Sequence, residues 1–114
     1  MKIEHFEDII AWQQARKLAK FLFLIFKDSK DYGFKDQILR AVVSILNNIA
    51  EGFERNSDKE LKQFLYISKG SCGEVRSMIY LAADFGYMAD TQFAEGFAHC
   101  QEISRMLSGF IKKL

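Results

Sequence analysis

The segment Lys69-Gly70-Ser71-Cys72-Gly73-Glu74 gathers a cation, a hydroxyl, a thiol and a carboxylate within one short stretch. A carboxylate held away from water can exchange protons, and a serine or cysteine beside a base can attack a carbonyl carbon. Arg40 is the counter-charge that the spacing assigns to Glu74. In a helical hairpin turning near Ser57, residues whose numbers sum to about 114 stand at one level, and these two meet that condition. Glu74 falls on its helix near Ile67, Leu81 and Phe85, which predicts partial burial beside a partner. Acid–base work is one use of such a carboxylate. A structural ion pair that fixes helix register is the other, and the cost of burying a lone charge favours it.

The nucleophiles fare worse. Cys72 sits in an apolar row, and a buried thiol without a cationic neighbour is inert. The two histidines, His5 and His99, belong to the first segment and the last helix. On a helix His99 and Cys100 point about 100° apart, so the two make no metal site alone. Asn47, Asn48 and Glu51 share a row with no histidine or cysteine, and asparagine is a weak ligand. Serine and asparagine are poor choices for an exposed helix interior. This row therefore reads as a hydrogen-bonding face buried between subunits. Gly70 and Gly73 inside a helix cost about 1 kcal/mol each relative to alanine. Close approach by another helix is the usual compensation. No phosphate-cradling loop, HExxH, CxxC pair or dinucleotide fingerprint is present. No catalytic, cofactor-binding or metal residue is assigned, and the chain reads as a non-enzyme.

Helices must carry these residues. Ile38, Val42, Ile45, Ile49 and Phe53 recur at helical spacing, with Arg40, Ser44, Asn47, Asn48, Glu51 and Arg55 on the opposite side. This second helix is expected from about Lys35 to Arg55. Before it, residues 1 to 7 read as a partly ordered lead-in and Asp8 as the cap of a first helix. That helix carries Ala11, Ala15, Leu18, Leu22 and Phe26 on one stripe. Its end, Phe21 to Phe26, is apolar all round, so Phe21, Phe23 and Leu24 are expected to meet another subunit. Gly33 is expected to make a left-handed turn. Ser57-Asp58-Lys59-Glu60 reads as a capping box, with Ser57 and Glu60 bonding reciprocally. The third helix places Leu61, Leu65, Ser68, Cys72, Val75 and Ile79 inside and ends near Gly86. Lys59, Lys62, Lys69 and Arg76 form a loose basic strip on its other side, diluted by Glu60 and Asp84. Asp90 is expected to cap a fourth helix with Phe93, Phe97, Cys100, Ile103, Leu107 and Phe110 as its seam. Four such helices joined by short turns predict an all-α, antiparallel up-down-up-down four-helix bundle, with residues 1–114 as one domain.

The totals agree. The chain is 49% hydrophobic and 27% charged, the balance of a folded protein. Eleven phenylalanines supply apolar area, and the absence of proline leaves helical ladders uninterrupted. A net charge of +1 argues against a protein whose main work is holding a polyanion. Two cysteines do not make a disulfide framework, so a reducing, cytoplasmic setting is expected. The acidic amino terminus is no signal peptide, and no apolar run is long enough to span a membrane.

The motifs resemble a family. They begin with Phe6 and Trp12-Gln13-Gln14-Ala15 and are strongest in Gln37-Ile38-Leu39-Arg40-Ala41, Ser44-Ile45, Asn48-Ile49-Ala50-Glu51-Gly52 and Arg55. They continue through Phe64-Leu65, Gly70-Ser71, Glu74 and Gly86-Tyr87. Over nearly its whole length the chain is similar to the small four-helix bundle proteins whose genes lie in intervening sequences of bacterial 23S ribosomal RNA genes. It departs at Leu46-Asn47, where the family usually has Pro-Ser, so a kink there should be absent. The resemblance implies a homopentamer with no known catalytic activity and no cofactor. It assigns Arg40, Ser44, Asn48, Glu51, Gly52, Arg55, Gly70, Ser71 and Glu74 to structural or interface roles. A related branch comprises accessory proteins of diversity-generating retroelements that bind nucleic acid or the reverse transcriptase. For this chain, then, the expected partner is itself. The alternative is nucleic acid held by Lys59, Lys62, Lys69 and Arg76, and no membrane is expected.

Overall fold

In a computed structural model that describes residues 2–114, the apolar stripes become four helices. A 3-10 turn, Phe6–Asp8, leads into α1 (Ile10–Phe26). It is followed by α2 (Tyr32–Glu54), α3 (Asp58–Asp84) and α4 (Asp90–Lys112). Among the described residues there is no strand. The expected lead-in includes Met1, which lies outside the described residues.

α3 runs back along α2, and α4 back along α3. Ser44 meets Ser71, Ile45 meets Ser68, and Gly52 meets Phe64, so rising numbers on α2 pair with falling numbers on α3. The same order holds for Cys72 with Cys100 and Tyr80 with Phe93 between α3 and α4. Packing joins α1 to α2 and α4, and α3 to the same two, leaving α1 and α3 on one diagonal. The long dimension is 43 Å. At 1.5 Å per residue the 27-residue α3 spans nearly all of it, so the helices lie along that axis.

The core is a single apolar cluster. Leu18, Leu22, Ile38, Ile45, Leu65, Ile79, Ile103 and Leu107 are fully buried. Removing such side chains from water, at about 25 cal/mol per Å², is the main force holding the helices together. The closest seam is between α2 and α3. A Cβ added at Gly52 would stand 2.6 Å from Phe64 Cβ, so only glycine fits there. Nearby, the buried Ser68 hydroxyl donates to the Ile45 carbonyl at 2.8 Å.

The helix ends differ from the sequence expectation. Asp8 lies in the 3-10 turn, and Ile9, not Asp8, precedes α1. Asp31 caps α2 by accepting from the Phe34 amide, so the helix begins three residues early and takes Gly33 into its first turn. Ser57 accepts from the Glu60 amide as expected, but Glu60 turns its carboxylate to Arg55 instead of closing the box. Ala89 precedes α4, and Gln92 accepts from its amide, leaving Asp90 inside the first turn. Asn56 and Gly86 take the left-handed backbone after α2 and α3, with φ of 55° and 78°. α2 runs unbroken through Leu46 and Asn47.

Candidate functional site

The polar row of α2 lines a shallow, open groove on the outer surface. Asp36, Arg40, Ser44, Asn47, Asn48 and Glu51 line it, with Leu39 and Val43 between them. Ser44 and Ser71 share a hydrogen bond of 2.8 Å across the seam. Asn48 donates to the Ser44 carbonyl at 2.8 Å and to its hydroxyl at 2.9 Å. The Ser71 hydroxyl, a candidate nucleophile by type, therefore meets another hydroxyl, not a base. Such a network fixes the azimuth of two helices and performs no proton transfer.

Arg40 and Glu74 do not pair. Both are exposed, and no ion pair joins them among the described residues. The predicted level is right, as the Ser44–Ser71 contact shows, but each side chain leaves its helix on the outer side. Ile67 and Leu81, expected to shelter Glu74, are themselves 52% and 44% exposed. The expectation of a buried carboxylate is thus corrected. Gly70 and Gly73 are corrected as well, because a Cβ at either position would meet nothing within 4 Å. Their cost in helix propensity has no compensation inside the chain. Arg55 holds Glu51 at 2.9 Å and Glu60 at 3.4 Å and lies over the Phe64 ring. These exposed pairs brace the α2–α3 turn, and such pairs are worth little individually.

Of the three apolar residues expected at a subunit contact, two are free. Phe23 is 51% and Leu24 54% exposed on the outer face of α1. Phe21 instead packs within the chain, its ring 6.0 Å from His99 and against Gly96 on α4. In the basic strip Lys59, Lys62 and Arg76 are exposed and Lys69 half-buried, with the exposed Tyr66 among them and the exposed Tyr80 one turn beyond Arg76. Glu60 is bound to Arg55, and Asp84 is exposed at the far end of α3.

Two relationships escaped the sequence. At one end of the bundle Tyr87 donates to Asp31 at 2.6 Å, tying the α3–α4 connection to the start of α2. Inside, Cys72 Sγ donates to the Cys100 carbonyl at 3.2 Å. Its contact with Cys100, aided by the charge of Arg76, holds the Cys72 thiol below its usual range. The same contact, followed by burial, pushes the Cys100 thiol up. Cys72 thus does have a cationic neighbour. The level rule applied to the second hairpin, where numbers sum to about 173, would have found this pair. Among the described residues no group of three or more metal-ligating side chains comes together. No helix there is long and apolar enough to cross a membrane.

Residues 7–109 match the sequence profile of a family described as 23S rRNA-intervening sequence protein. No curated protein matches. Among solved structures, the chain resembles a protein of unknown function from the S23 ribosomal protein family of Bacteroides thetaiotaomicron. The TM-score is 0.81 at 21% identity, over 90% of this chain and 96% of that one.

Proposed function

This chain belongs to the 23S rRNA-intervening sequence protein family, and on that premise we propose that it is a non-enzymatic, self-assembling helical bundle that serves as a scaffold or interaction module. One observation carries the proposal. Exposed apolar side chains stand on two helices at opposite corners of the bundle, besides those at Ile10, Val43 and Phe85. Phe23 and Leu24 lie on α1, and Ile67 and Leu81 lie on α3. A two-fold dimer buries one patch against its own copy, whereas two unlike patches join head to tail, which gives a ring where the rotation between copies closes. Five copies is the number the family resemblance implies. The groove of α2, the unpaired Arg40 and Glu74, and the uncovered Gly70 and Gly73 border the α3 patch and supply its polar contacts. The pair of reduced thiols fits a cytoplasmic setting.

Light scattering on the purified protein at micromolar concentration tests this. A mass near five chains is expected, and Phe23→Glu with Leu24→Lys should reduce it to one while helical circular dichroism stays unchanged. A wild-type monomer would sink the proposal.

The α3 strip supports a second reading, an accessory protein for nucleic acid. Cations alternating with exposed tyrosines suit a phosphate backbone with stacked bases. Binding of structured or single-stranded RNA should then weaken steeply with salt. No mobility shift at low salt would remove this alternative.

A further inference from the structure

Cys72 and Cys100 face each other from α3 and α4 at the same level of the bundle, and both are 1% exposed. The Cys72 sulfur reaches the backbone of Cys100 itself, at 3.2 Å from its carbonyl oxygen. A thiol in contact with the opposing cysteine's own backbone has its disulfide partner on the facing residue. Arg76 lies one turn after Cys72 on α3, and its charge acts on both thiols. A cation at a dithiol favours the thiolate, which is the nucleophilic form.

The two sulfurs are covered, so an oxidant must enter through local opening. The segment around Cys72 is built for that. Gly70 and Gly73 bracket it, and neither is held by a packing contact on its open side. Each weakens the helix by about 1 kcal/mol relative to alanine. Segments of low local stability open far more often than the whole domain unfolds.

We propose that Cys72 and Cys100 form a redox-active dithiol that hydrogen peroxide converts into a disulfide joining α3 to α4. The Cys72 thiolate attacks one peroxide oxygen and breaks the O–O bond. This leaves a sulfenic acid on Cys72, and the departing hydroxide takes up a proton to become water. The Cys100 sulfur then attacks the Cys72 sulfur and expels the sulfenic oxygen, which takes the Cys100 proton and leaves as a second water. Two thiols are oxidised, one peroxide is reduced, and the bond closes the loop that contains the α3–α4 turn. A cellular dithiol reductant reverses it by exchange.

The test uses the full-length reduced protein. After hydrogen peroxide treatment, intact mass should fall by two hydrogens. Non-reducing peptide mapping should find the Cys72 and Cys100 peptides joined. The oxidised protein should melt about 10 °C higher than the reduced one, as a loop of this length implies. Free thiols after prolonged treatment, or a bond only between separate copies, would overturn the proposal. So would a lowered Tm, which would mean the native bundle does not accept the bond. In Cys100→Ser, dimedone should label Cys72, whereas Cys72→Ser should take no label at Cys100. The reverse pattern would refute the order of attack. The wild-type mass and mapping readouts stand even where a variant folds poorly.

Discussion

Tyr87 and Asp31, far apart in sequence, close one end of the bundle with a 2.6 Å hydrogen bond from the phenol to the carboxylate. The other Asp31 oxygen accepts from the Phe34 amide at 3.1 Å. One carboxylate therefore caps α2 and anchors the turn before α4. Around it the rings of Phe26, Phe34, Phe85 and Tyr87 meet edge to face.

That bond has a pH signature. The Tyr87 hydrogen bond, then the Phe34 amide, hold Asp31 below the usual carboxylate range, and Asp31 raises Tyr87 above the usual phenol range. A lowered acid stabilises the fold above its unfolded pKa and loses that contribution as pH falls through its folded value. A raised phenol stabilises below its unfolded pKa and loses it as pH rises through its folded value. The Tm difference between wild type and Tyr87→Phe should be level from about pH 5 to about pH 9 and shrink on both sides. No difference at any pH would show that the ring, not its hydroxyl, is what matters.

Gly52 and the pair Gly70 and Gly73 should respond to alanine in opposite ways. Gly52→Ala drives a methyl into Phe64 and should cost about 1–3 kcal/mol in chemical denaturation.

Gly70→Ala and Gly73→Ala meet no atom in the chain. Each should add up to about 1 kcal/mol to the stability of the isolated chain. If another copy packs there, the same changes should weaken assembly in light scattering. A gain in stability with unchanged assembly would place the subunit contact elsewhere.

Arg40 and Glu74 carry unpaired charges on one outer face. Arg40→Glu should weaken assembly at least tenfold by leaving like charges at the contact. Reversing both, Arg40→Glu with Glu74→Arg, should restore it, as sedimentation at several concentrations would report. Equal weakening in the double variant would mean that the two charges do not meet across copies.

The levels of residues along the bundle were legible in the sequence, and their azimuths were not. Numbers that pair across a turn follow from helix rise alone, so Arg40 and Glu74 were placed at the right height. Whether two side chains at one height point together or apart depends on how far each helix is rotated, and only packing fixes that. Ser44 and Ser71 won the inward positions, and the charges were left outside. Helix caps failed for a related reason. Glu60 had the pattern of a capping box, but Arg55 offered its carboxylate a charged partner at the turn. The apolar stripes were read correctly because burial repeats over many turns, whereas a cap is decided by one bond. Phe21 is partly covered by α4, a helix far away in sequence, and periodicity within α1 could not show that contact.

The close contact at Gly52, the Ser68 bond to Ile45 and the Ser44–Ser71 bond all cross the same seam. No side-chain hydrogen bond of comparable depth ties α1 to its neighbours among the described residues; Lys35 reaches only the exposed carbonyl of Lys27 at its end. Amide protons of α2 along this seam should therefore outlast those of α1 in exchange with deuterated water. The helix that bears Phe23 and Leu24 would then be the first to leave the bundle on partial unfolding.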